Sequence, residues 1–94
     1  MTVAEIIDIV DGSQAQSNGL RIGDLIVKYN GVRIRNSREL VQEAGKTTTD
    51  QQTELIVLRD KLAVPFILHG GFIGVKIRTQ RISSEDFPMA GLED

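Results

Sequence analysis

Short apolar runs broken by turn-forming residues punctuate this chain, and their spacing predicts a small sheet with two helices. Val3 to Val10 is rich in β-branched residues and reads as a strand. Asp11-Gly12 breaks it, and Ser13 is placed to cap a brief helical turn over Gln14 to Asn18. Gly19 suits the left-handed position that ends a helix, and Leu20 follows as a core contact. Gly23 to Tyr29 is a second strand, closed by Asn30-Gly31, two residues that accept positive φ. Val32-Arg33-Ile34 is a short strand. Asn36 or Ser37 caps a helix from Arg38 to Ala44, whose Leu40, Val41 and Ala44 form one apolar stripe, with Gly45 at its end. Lys46 to Gln52 is a polar loop and Thr53 to Leu58 a strand. After the charged turn Arg59-Asp60-Lys61, Leu62 to Leu68 is another strand, with Pro65 expected at an edge or bulge where no N–H is needed. Glycines at 70, 71 and 74 then lead into a strand from Val75 to about Ile82, in which Val75 and Ile77 alternate with Lys76 and Arg78.

The expected fold class is therefore α+β: a small, mostly antiparallel sheet or partial barrel of about six strands, with one short and one longer helix. The expected domain covers residues 1–82, and residues 83–94, polar or acidic with little pattern, form a loosely held tail. At 94 residues the chain suits one domain. Acidic and basic residues are interspersed and the net charge is -2, which argues against nucleic acid as a partner. Lys28, Arg33, Arg35 and Arg38 lack interleaved aromatics, and Glu39 and Glu43 dilute them. The chain has no cysteine, hence no disulfide or thiolate site, and this leaves the compartment open. No apolar run is long enough for membrane insertion as a helix, and Met1 to Glu5 lacks the pattern of a signal peptide.

The stretch from His69 to Thr79 carries the most suggestive chemistry. A glycine-rich loop can aim several N–H groups at one point and form an anion nest. A strand starting just beyond it is placed to hold an extended peptide by its C-terminal carboxylate. Taken alone, these residues read more readily as a tight hairpin without a ligand, since Gly-Gly is a common turn signal.

The run Gly12 to Gly31 changes that balance. Its Ser13-Gln14-Ala15, Gly19-Leu20, Gly23-Asp24-Leu25-Ile26 and Asn30-Gly31 resemble, in order, the signature block of PDZ domains, with Asn18 standing where that family usually has alanine. The helix near Ser37 to Ala44 and the strand Thr53 to Leu58 extend the resemblance. Phe72-Ile73-Gly74-Val75 resembles the family's carboxylate loop, x-Φ-Gly-Φ with Φ apolar, but lies near the C-terminal end. The resemblance thus implies a circular permutation, as in PDZ-like domains of bacterial proteins, with the family's third to sixth strands followed by its first and second.

What the resemblance implies about function is capture of a partner's C-terminal tail or an extended segment as an added strand. The amides of Ile73, Gly74 and Val75 would cradle the carboxylate, with Phe72 opening the loop. Ile73, Val75 and Ile77 would shape the pocket for the last side chain. The backbone from Val75 through Lys76 and Ile77 to Thr79 would pair with the ligand. Ser37 or Arg38, Val41 and Ala44 would form the opposite wall, and His69 stands where many members carry a basic residue that assists the carboxylate. The expected partners are protein or peptide C-termini with an apolar last residue and, as a further candidate, other domains of a larger parent chain.

Catalysis is not expected. His69 is the only histidine, no serine sits in a nucleophile elbow, no histidine or cysteine cluster suits a metal, and Gly70-Gly71 lacks the residues of a phosphate loop. No cofactor is implied. The alternative is a structural or regulatory docking domain of a larger protease, secretion or scaffold protein with an empty groove. A further expectation places Phe87 or Met89 of the tail in the apolar pocket as a self-ligand.

Overall fold

A computed structural model describes residues 1–83 and Glu85, so the expected self-ligand residues Phe87 and Met89 and most of the tail lie outside the described residues. In chain order the elements are β1 (Thr2–Ile9), α1 (Gln14–Ser17), β2 (Leu25–Tyr29), β3 (Val32–Arg33), α2 (Ser37–Gly45), β4 (Gln52–Arg59), β5 (Leu62–His69) and β6 (Val75–Arg81). They build the α+β fold expected from the pattern. One antiparallel sheet runs β5-β4-β2-β1-β6, with β3 paired to β2.

Local chemistry sets the boundaries. Ser13 caps α1, its Oγ accepting from the Gln16 N–H at 3.3 Å. Asn36 is the cap of α2 and accepts from the Glu39 N–H at 2.9 Å, while the Glu39 carboxylate accepts from the Arg35 N–H at 2.7 Å. The helix therefore takes in Ser37. Register leaves Asn30 and Gly31 as a two-residue hairpin turn, with φ of 50° and 85°. Asp60 and Lys61 take the same form at 53° and 66°, a conformation less welcome in residues with side chains. Pro65 sits on β5, the last strand of the sheet, where one edge needs no partner.

The main core lies on the sheet face covered by the helices, with Tyr29, Leu40, Leu55, Leu68 and Ile73 all buried in it. Side chains of this size contribute roughly 1.5–3 kcal/mol each when fully buried. Val3, Val27 and Leu58 form a smaller cluster of their own. Ile26 and Val27 belong to different clusters, as the two-residue period of a strand requires.

One buried ion pair ties the β2 entry to the end of β4. Asp24, 3% exposed, accepts from Arg59 Nε at 2.9 Å and Nη2 at 2.6 Å, and from the Arg21 N–H at 2.9 Å. Arg59 also donates to the Gly19 carbonyl at 3.1 Å and stacks over the Phe66 ring. The hydrogen bond with Asp24 pushes the Arg59 pKa further up.

Candidate peptide groove

The glycine loop between β5 and β6 is held from two sides. From α1, the Gln14 side chain donates to the carbonyls of His69 at 2.9 Å and Phe72 at 2.8 Å, and accepts from the His69 N–H at 2.8 Å. From the segment after α2, the Gln51 carbonyl accepts from the Gly70 N–H at 3.0 Å. Thr47 Oγ1 accepts from the Gly71 N–H at 2.7 Å and donates to the Ala44 carbonyl at 2.6 Å. The buried Tyr29 hydroxyl completes this hub, 3.3 Å from the same oxygen.

Each glycine has its own reason. A Cβ on Gly70 would overlap the Thr48 carbonyl and the Thr47 side chain, so close approach fixes this residue. Gly74 has φ of 95°, and its Cβ would overlap Ser13. A side chain at 74 therefore disturbs the fold as well as the loop, and its substitution does not isolate ligand binding.

Three successive carbonyls of the loop are engaged on one side. Phe72 C=O accepts from Gln14 Nε2 at 2.8 Å, Ile73 C=O from the Ala15 N–H at 3.1 Å, and Gly74 C=O from the Val10 N–H at 2.8 Å. In a trans peptide the N–H points opposite to the C=O of the same plane. The amides of Ile73, Gly74 and Val75 are thus directed away from α1 and β1.

That side holds a cleft. It has a volume of about 520 Å³ and lies between α2, through Leu40, Val41 and Ala44, and the loop and first residues of β6. No charged side chain is among its described lining residues. β6 is the end strand of the sheet, paired only to β1. Because the Val10 N–H bonds Gly74 C=O, Ile9 and Val75 form a non-hydrogen-bonded pair, which turns the Val75 backbone groups to the open edge. The two-residue period repeats this at Ile77.

The residues expected at the site divide among several places. Phe72, Ile73, Gly74, Val75, Ile77, Val41 and Ala44 line the cleft. Ile73 is also core, whereas Phe72 and Val41 are 73% and 65% exposed at its mouth. Val41 thus departs from the stripe it shares with Leu40: Leu40 is buried in the core and floors the cleft, whereas Val41 stands exposed at its mouth. Ser37, Arg38, Lys76 and Thr79 are outside the lining. Ser37 and Thr79 touch each other beyond the end of the cleft, Arg38 is exposed, and Lys76 lies 4.0 Å from Asp8. His69 lies outside it too, its backbone bonded to Gln14. Sequence reasoning missed Leu40, Gly45, Thr47 and Gly71 as lining residues. The Thr47-Thr48-Thr49 run was visible, but only folding brings Thr47 to Gly71.

The PDZ domain family model matches residues 5–59, more than half of the chain, and the chain belongs to this family of protein-interaction modules. The match spans most of β1 through β4 and ends before the glycine loop and β6. Over 56 residues the chain is also 39% identical to a protein of Hahella chejuensis (strain KCTC 2396) described as a probable periplasmic serine endoprotease DegP-like. That similarity covers 60% of this chain but only 12% of the relative.

Proposed function

We propose that this domain captures the C-terminal tail of a partner protein as an added strand on β6, facing α2. The observation that carries the reading is the engagement of the carbonyls of Phe72, Ile73 and Gly74 by Gln14, Ala15 and Val10, which leaves three consecutive amides aimed away from those partners. Three such N–H groups satisfy a carboxylate without a cation. The apolar lining from Leu40, Val41, Val75 and Ile77 favours a last residue such as Val, Leu, Ile or Phe. We read the chain order as a circular permutation, in which β5 and β6 take the places of the family's first and second strands. The residue span of the family match supports this, since it ends where such a permutation would displace the sequence. The likeness to a DegP-like protease supports a role within a larger chain, with the domain presenting tails to a catalytic part and contributing no catalysis itself. Titration of ¹⁵N-labelled protein with a pool of C-terminal peptides tests the reading. Shifts concentrated at Ile73 to Ile77 are expected. Shifts confined to other surfaces, or none at millimolar peptide, would end it.

A further inference from the structure

The cleft stops short of the end of the β6 edge. Its lining includes Val75 and Ile77 but not Thr79, and Val41 but not Ser37 or Arg38. At that point the N-terminal turn of α2 meets the strand: the Ser37 N–H donates to Thr79 Oγ1 at 3.1 Å, and the Ser37 hydroxyl lies 3.4 Å from the same oxygen. A strand added to a sheet runs about 4.8 Å from its neighbour. The Ser37 backbone, one hydrogen bond from the Thr79 side chain, brings α2 directly onto β6 here, on the face that Val75 and Ile77 turn to the cleft, and closes the gap between helix and strand. Further along β6 toward the loop, the gap is open.

We propose that the Ser37–Thr79 bridge bounds the groove and makes the domain a reader of short tails, holding only the last three residues of its ligand as a strand; this rests on the tail-capture reading above. The count follows from the edge. The carboxylate sits at the amides of Ile73, Gly74 and Val75, the last residue pairs with Val75, and the third from the end pairs with Ile77. A fifth residue would pair with Thr79 and meets the helix instead. The consequence is selectivity for the end of a chain with little regard for the sequence upstream. That suits a module presented with many different tails, such as freshly cut polypeptide ends.

The test uses a series of N-acetylated peptides with one to five alanines followed by a C-terminal valine, titrated into ¹⁵N-labelled protein. In the wild type, affinity should rise up to three residues and stay within twofold from four to six. In Thr79→Ala, which removes the hydroxyl, it should rise at least fivefold between three and five residues. A steady gain through six residues in the wild type would overturn the proposal. A ligand-free readout stands beside this: the Ser37 amide should exchange at least tenfold more slowly in the wild type than in Thr79→Val. Equal exchange would show that no bridge exists and overturn the proposal by itself. No shift at Gly74 or Val75 with any peptide would instead overturn the capture reading on which it rests.

Discussion

Thr47→Val is a near-isosteric change that tests whether the glycine loop is fixed by the hub behind it. The threonine hydroxyl uses its full capacity: it donates to the Ala44 carbonyl, accepts from the Gly71 N–H and meets the Tyr29 hydroxyl. Valine leaves the fully buried Tyr29 hydroxyl without this partner, a cost of roughly 1–3 kcal/mol. The half-buried Gly71 amide loses a bond worth about 0.5–1.5 kcal/mol. The Ala44 carbonyl keeps the Thr47 N–H at 3.1 Å, so its loss is small. The added methyl returns at most about 0.8 kcal/mol. The net expectation is a destabilisation of about 0.7–4.5 kcal/mol in urea unfolding, with unchanged m-value. Thr47→Ser, which keeps the hydroxyl, should stay within about 1 kcal/mol of the wild type. Tyr29→Phe combined with Thr47→Val should cost less than the two changes summed, because each removes the same contact. Thr47→Val within about 0.5 kcal/mol of the wild type, or strict additivity with Tyr29→Phe, would refute the hub.

Two further substitutions separate stability from binding. Asp24→Ala strands the Arg59 guanidinium, whose side chain is 21% exposed, so the loss should approach the lower end of the roughly 3–5 kcal/mol range for a broken buried pair, read by thermal or urea unfolding. Val41→Lys changes a side chain that is 65% exposed yet lines the cleft. Its stability should move by less than about 0.5 kcal/mol, while affinity for a valine-terminated peptide falls about tenfold, a change of about 1.4 kcal/mol. Unchanged peptide affinity would remove α2 from the binding surface.

Features fixed by neighbouring residues were legible in the sequence. The Ser13 cap, the Asn30-Gly31 turn and the placement of Pro65 on an end strand each follow from the conformational limits of one or two residues. The two-residue period of Val75 to Arg78 likewise foretold a strand with alternating faces, though not its place at the end of the sheet. The contacts that shape the groove were not legible, because they join residues far apart in the chain. Gln14 clamps His69 and Phe72 across more than fifty residues, and Thr47 reaches Gly71 across a hairpin. Glycine itself was ambiguous: positions 71 and 74 need positive φ, whereas Gly70 is there because the Thr48 carbonyl and the Thr47 side chain press on it. Periodicity also could not divide Leu40 from Val41, since adjacent residues on one apolar stripe look alike until the partner surfaces are known.

The central claim is that backbone amides of the Phe72 to Val75 loop hold a terminal carboxylate. The most direct measurement compares one peptide, acetyl-Ala-Ala-Val, as the free acid and as the C-terminal amide, in NMR titrations of the same protein. The free acid should move the Gly74 and Val75 amide resonances most and bind at least tenfold more tightly than the amide. Equal affinity of the two forms, or largest shifts away from this loop, would contradict the account.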